Sequence, residues 1–281
     1  MSKVKFNLSL DKLEITYQAS QQVRDALATI KESKVINEIT IVRVEKPHHY
    51  QHEFLLYGKD YSVERGENVR AIGVLFFGSL NENRQHIYIN YNNAALYDTY
   101  LLASRFYVEE ALGLVFYRVS KLDIALDLNI NVVRRFYRLY RDEAYTFVVL
   151  NRRYKDLDEI VKEVLHVATG TRKRPLKNRS FYIENKDKSL ALRCYNKSVE
   201  LADSNKEYIP RLSAKRPMYR LEVSLANHKN IAKTLALLGV YDADEVYSKL
   251  QNEEFLFSLF LTTLDRLIRV CKGRKRFNLL E

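Results

Sequence analysis

The chain has 281 residues, 47% of them hydrophobic, and a formal net charge of +11 with a pI of about 9.4. That is enough apolar content for one large domain or two small ones, and a basic excess of this size points to a polyanionic partner. The longest apolar run, Phe255 to Leu264, is about ten residues and too short to span a bilayer. Cys194 and Cys271 stand apart, which excludes a disulfide framework or a cysteine metal site and fits a reducing compartment. With no apolar leader after Met1, the expected location is the cytoplasm.

From the N-terminus, Val4, Phe6, Leu8 and Leu10 alternate with polar residues, and Leu13 to Tyr17 continues the strand pattern. Ser20 is placed to cap a helix running to about Ser33. Strands are expected over 35–44, 53–57, 69–77 and 85–91, with turn residues at 58–60 and 81–83. The histidine-rich stretch 48–52 is open to a metal reading or a structural one, and His86 and His166 stand alone. A helical pattern runs from about Ala94 to Leu112 and stops at Gly113.

The next segment is the first with chemistry in it. A strand over 115–128 points Lys121, Asp123, Ala125 and Asp127 to one face and Leu122, Ile124 and Leu126 to the other. Carboxylate oxygens suit a hard divalent cation. The two acids lie about 13 Å apart along a strand, so at most one binds such an ion directly. Solvated acids on an exposed face are the alternative.

A helix over 132–141 carries Arg134, Arg135, Arg138 and Arg141 on one side. Residues 144–150 read as strand or helix, and 157–169 as a helix closed by Gly170. The loop 171–179 then holds Arg172, Lys173, Arg174, Lys177 and Arg179 without an acid. These arginines and lysines, with the tail 272–276, are electrostatic footprints, phosphate-contacting surfaces that anchor without reading sequence if the partner is DNA and a solvated face otherwise.

A hairpin of 181–184 with 190–195 follows, turning at Asn185-Lys186-Asp187-Lys188. Read as strand-like over Leu192–Glu200, the segment places Arg193, Tyr195 and Lys197 on one face with Leu192 and Cys194 behind. A phenol with a pKa near 10 attacks phosphate only with help from cations or a metal, and Arg193 and Lys197 are such cations. Because the chain has 20 tyrosines, one more amphipathic tyrosine at a sheet edge is the competing reading. Over 218–225, Arg220, Glu222 and Ser224 share a face, and a neighbouring strand could bring Glu222 beside Asp123. Helices are expected over 228–238 and from Asp242 onward, where Asp242 with Glu245 has the pattern of a capping box and Phe255, Leu259, Leu261, Leu264 and Ile268 keep helical spacing.

Together these elements give an α+β fold, with an antiparallel β-sheet core, flanking helices and a helical C-terminal region. The expected organisation is a functional domain over 1–226 and a helical region over 227–281 packed on it. No Walker glycine loop, GxGxxG or Ser-His-Asp signature is present.

Ser120-Lys121-Leu122-Asp123-Ile124-Ala125-Leu126-Asp127, then Leu192 to Glu200, then Tyr219-Arg220-Leu221-Glu222-Val223, resemble in order and spacing the motifs of the Rep_trans family. These are replication initiation factors of rolling-circle plasmids, with related relaxases of integrative elements, and the resemblance covers roughly residues 115–226. It implies a metal-dependent DNA nickase. Tyr195 would attack a phosphodiester at an origin, single-stranded or in a hairpin, leaving a 5′-phosphotyrosine and a free 3′-hydroxyl. Asp123 and Glu222 would be the main Mg²⁺ or Mn²⁺ ligands, with Asp127 and Glu200 in support. Lys121 stands where the family has arginine, and Asn178-Arg179-Ser180-Phe181 replaces its glycine-serine element, which leaves Tyr182 as the alternative nucleophile. Members are often dimeric, though no seam is visible in this sequence. A non-enzymatic DNA-binding initiator or repressor is the other function considered.

Overall fold

The computed structural model describes residues 5–47, 50–59, 69–78, 86–97, 99–154, 165–168, 180–204, 206, 208–213 and 216–277. The chain divides into two compact units, one of Met1–Ser9, Asp123–Tyr241 and Ser248–Glu281, the other of Leu10–Leu122 and Asp242–Tyr247. Strands β1 (Phe6–Gln18) and β7 (Val115–Leu128) contribute residues to both. The architecture is mixed, with long antiparallel pairings and helices against them, as the alternating and 3.6-residue patterns predict.

In the second unit the strand order is β1-β6-β5-β4-β3-β2, with β2 Ser33–Ile36, β3 Ile39–Arg43, β4 His52–Lys59, β5 Val69–Phe77 and β6 His86–Tyr91. One face, which includes Leu13, Ile15, Ile41, Phe54, Leu75, Ile87 and Ile89, is fully buried. On that face the hydroxyls of Tyr17 and Tyr91 bond each other at 2.8 Å, so neither is left unsatisfied. Helix α1 (Gln21–Ala28) starts at Ser20, whose Oγ accepts from the Val23 N–H as predicted, but ends a turn before Ser33. The single strand expected over 35–44 is a hairpin of β2 and β3. Asn37 and Glu38 turn it with φ of 45° and 66°, the backbone of a type I′ turn. The helix expected over 94–112 is two, α2 (Asn93–Leu96) and α3 (Thr99–Leu112), closed by Gly113 at φ +62°.

In the first unit the strand order is β10-β11-β12-β13-β7, with β10 Leu165–Ala168, β11 Ser180–Glu184, β12 Leu190–Asn196 and β13 Tyr219–Leu225. Helices α4 (Val132–Arg141) and α8 (Glu253–Leu267) pack against β12 and β13. On the apolar face, Phe136 of α4 stacks on Phe181 at 3.9 Å, and Leu192, Cys194, Leu221 and Val223 are wholly buried. Period-2 alternation therefore sends Tyr182, Arg193, Tyr195, Arg220, Glu222 and Ser224 to the opposite face. The remaining helices of the described residues after α4 are α5 (Lys197–Ser204), α6 (His228–Ala236) and α7 (Ala243–Lys249).

A second antiparallel sheet has the order β15-β14-β8-β9, with β8 Tyr145–Val149, β9 Arg152–Tyr154, β14 Ile268–Lys272 and β15 Lys275–Phe277. Two helical expectations fail here for one reason. Residues 165–168 form a strand on β11, and Ile268 leaves α8 at φ −149°, ψ 133° to pair with Val149. In both places an available strand edge overrides an apolar spacing that also fits a helix.

Candidate active site on the polar face of the first unit

Register places the site. Arg193 of β12 lies opposite Glu222 of β13, and Tyr195 lies opposite Arg220. Arg193 Nη1 donates to Glu222 Oε1 at 2.7 Å, and the Tyr195 hydroxyl donates to Glu222 Oε2 at 3.2 Å. One carboxylate thus holds both an arginine and the candidate nucleophile. Glu222 is 6% exposed, whereas the Arg193 side chain is 54% exposed and reaches solvent. Burial works against the Arg193 charge. The field and hydrogen bond of Glu222, with smaller help from Asp123 and Tyr195, outweigh that cost and hold its pKa above the ordinary value.

Asp123 of β7 accepts from the Ser224 hydroxyl and is itself buried. β7 and β13 are neighbours in the sheet, and Arg193 feels the charge of both Asp123 and Glu222. Tyr182 lies opposite Arg193 on β11. With Ser180, Glu184, Arg193 and Tyr195 it lines an open groove of about 360 Å³. Behind Tyr195, burial pushes the Cys194 thiol well above its usual pKa, leaving it inert.

The other expected members lie elsewhere. Asp127 is in a two-pronged ion pair with Arg220, with Nε to Oδ1 and Nη2 to Oδ2 both at 2.7 Å and both side chains fully buried. That geometry gives each of its oxygens a guanidinium partner. Lys197 is not on the strand face, because β12 ends at Asn196 and Lys197 opens α5. Its buried ammonium still sits 5.6 Å from the centre of the Tyr195 ring and bonds Glu200 Oε2 at 2.5 Å. Glu200 also takes Lys206 Nζ at 2.8 Å. Burial would raise the Glu200 pKa, but the two lysines win and hold it below the ordinary value. Glu200 therefore serves two ammonium groups rather than the Asp123–Glu222 pair. Among the described residues no group of three or more His, Cys, Asp or Glu side chains is arranged to hold a metal.

The chain matches no known family, and no curated protein is similar to it in sequence. Several solved chains match it, and two of them are as follows. One is a rolling circle replication initiator protein from Geobacillus stearothermophilus, at 10% identity, covering 96% of this chain and 89% of that one with a TM-score of 0.47. The other is the di-domain ARO/CYC StfQ of the steffimycin biosynthetic pathway, at 11% identity, covering 91% and 96% with a TM-score of 0.18.

Of the expected DNA-contacting residues, Arg134 and Arg138 are exposed on α4, and Arg135 sits 5.5 Å from the Phe277 ring centre. Arg172, Lys173, Arg174, Lys177 and Arg179 lie outside the described residues, as do His48 and His49. His52 stacks on Phe77 and contacts Arg43, and His86 stacks on Tyr117, so these two histidines have packing partners. No helix among the described residues is long and apolar enough to cross a membrane. Sequence reasoning missed Ser224 as the partner of Asp123 and Lys206 as a second cation on Glu200. The first was within reach, since Ser224 alternates onto the Glu222 face. The second depends on a helix that the strand reading of Lys197 to Glu200 concealed.

Proposed function

We propose that the chain nicks one strand of DNA at an origin through Tyr195, starting rolling-circle replication or transfer. The observation that carries this reading is the Tyr195–Glu222–Arg193 constellation, a phenol and a cation anchored on one buried carboxylate at the wall of an open groove. The order and spacing of the three motifs and the charge of +11 add to it.

In the step proposed, the Tyr195 oxygen attacks phosphorus as its O–H bond breaks. The P–O3′ bond then breaks, leaving a 5′-phosphotyrosine and a 3′-oxygen that takes up a proton as a hydroxyl. Arg193 is placed to neutralise charge growing on the phosphoryl oxygens. The ammonium of Lys197, 5.6 Å from the centre of the Tyr195 ring, is a second cation beside the phenol. For a divalent cation the fitting donors are Asp123 and Glu222, hard oxygens on adjacent strands, since Mg²⁺ needs only one or two carboxylates besides the substrate's own phosphate. Such an ion would supply charge neutralisation at the scissile phosphate. Arg134, Arg138 and the basic residues Arg172, Lys173, Arg174, Lys177 and Arg179 would hold the DNA backbone. Origin DNA, as a single strand or hairpin, is the partner proposed, to a monomer or homodimer.

The test is adduct formation. A 3′-labelled origin oligonucleotide incubated with the full chain and Mg²⁺ or Mn²⁺ should transfer its label to protein, and Tyr195→Phe should abolish transfer while Tyr182→Phe keeps it. Adducts persisting in Tyr195→Phe would overturn the nucleophile. Salt-dependent DNA binding with no adduct from the wild type would leave a non-enzymatic initiator or repressor instead.

A further inference from the structure

We propose that the groove beside Tyr195 holds an unpaired nucleobase, with Tyr182 as the platform on which the base stacks and Arg193 meeting the adjoining phosphate. That this phosphate is the scissile one rests on the nicking reading. The base site itself is a property of the groove and is tested without metal or reaction.

Three observations lead here. First, the groove is built on one strand face. Phe181 and Ile183 are buried on the apolar side of β11, so alternation turns Ser180, Tyr182 and Glu184 the other way, and all three line the groove with Arg193 and Tyr195. Its volume of about 360 Å³ is at the small end of ligand pockets, roughly 300–1,000 Å³, which suits a single nucleoside. Second, the register brings an aromatic ring to the flank of the candidate nucleophile. Tyr182 lies directly opposite Arg193, two residues before Tyr195. Such diagonal neighbours on paired strands stand about 7–8 Å apart, within reach of aromatic side chains. A nucleotide whose phosphate is at Arg193 and Tyr195 therefore has its base beside the Tyr182 ring.

Third, the groove is polarised along β11. The Arg193 guanidinium, 54% exposed, stands at the level of Tyr182, and the acid Glu184 lies one step further along, opposite Ala191. A phosphate is drawn to Arg193 and repelled by Glu184. The uncharged base is thus the part of a nucleotide that can extend toward Glu184, and its path crosses Tyr182. In a duplex the same base is paired and stacked within the helix, so it cannot also lie flat on a protein ring. The groove therefore selects a single strand or locally opened DNA. Stacking of this kind tolerates any base, because every base has a π-face, and it uses the ring of Tyr182 rather than its hydroxyl.

The experiment titrates the full chain, in EDTA, into a fluorescently labelled oligothymidylate of about ten nucleotides and into its duplex with oligodeoxyadenylate, read by anisotropy. Tyr182→Ala should weaken single-strand binding by about 5- to 150-fold, while Tyr182→Phe keeps the ring and stays within about twofold of the wild type. Duplex binding, carried by phosphate contacts, should change by less than about twofold in either variant. Photocrosslinking of the wild type to the same strand made with 5-iododeoxyuridine needs no variant to fold, and it should attach the strand at Tyr182. Four results overturn the proposal: no single-strand binding by the wild type, unchanged single-strand affinity in a folded Tyr182→Ala, equal losses for strand and duplex, or crosslinks only at other residues. Adduct formation with Mg²⁺ or Mn²⁺ is scored separately. A chain that shows ring-dependent binding but makes no adduct refutes the nicking reading and leaves the base site standing.

Discussion

Replacing Asp127 tests whether this acid braces the fold or takes part in the proposed chemistry. Asp127 and Arg220 are both fully buried, with two contacts of 2.7 Å between them. Removing one member of such a buried pair leaves an uncompensated charge and costs about 3–5 kcal/mol. At roughly 2–4 °C per kcal/mol for a chain of this size class, Asp127→Ala should melt about 6–20 °C below the wild type. Asp123→Asn keeps an oxygen to accept from Ser224 and should lose about 1 kcal/mol or less. The double change Asp127→Leu/Arg220→Met removes both charges at once and should recover most of the loss. Thermal and urea unfolding read the stability, and adduct formation on the same samples reads the chemistry. If Asp127→Ala melts within about 1 kcal/mol of the wild type yet makes no adduct, the ion-pair argument is wrong and Asp127 belongs to the reaction.

Three further outcomes are expected. Glu38 holds φ of 66° in the β2–β3 turn, which costs an L-residue, so Glu38→Gly should gain about 0.5–1 kcal/mol in unfolding experiments; a loss would show that its contact with Tyr107 outweighs the turn. The folded Glu200 carboxyl binds its proton at lower pH than the unfolded one, so its pairs with Lys197 and Lys206 add stability above about pH 4.5 that disappears as pH falls through the folded value. Glu200→Gln should flatten that part of the acid limb of the stability curve, and an unchanged limb would refute the pairing. Replacing exposed Arg134 and Arg138 together by Ala should lower the slope of log K against log salt for DNA binding by roughly 2 if both contact phosphates; an unchanged slope removes α4 from the interface.

Alternation carried most of the site. Strand period alone put Asp123 and Asp127 on one face of β7 and Arg220, Glu222 and Ser224 on one face of β13, because each strand buries its other side among leucines and isoleucines. The helix α4 was readable to the residue for the same reason, its apolar and basic stripes being distinct. Lys197 was not, since Arg193, Tyr195, Lys197 and Val199 keep a period of two across the end of β12. The contrary signal was present in Asn196 followed by Glu200 in the first turn of α5, a helix-start pattern. At Ile268 and at residues 165–168 the missing information was a distant partner, β8 or β11, which no local spacing encodes.

The same limit explains why two acids of equal appearance have different places. Asp123 and Asp127 share a strand, a face and a chemistry, and nothing within the 121–127 segment separates them. What separates them is the side chain presented by β13: a serine hydroxyl at Asp123 and a guanidinium at Asp127. A serine satisfies one lone pair and leaves the carboxylate charge to be balanced by something else. A two-pronged arginine balances that charge and fills both oxygens. The alternation of Arg220, Glu222 and Ser224 therefore sorts the acids of the neighbouring strand, giving Asp127 a guanidinium and Asp123 a hydroxyl as its partner from β13.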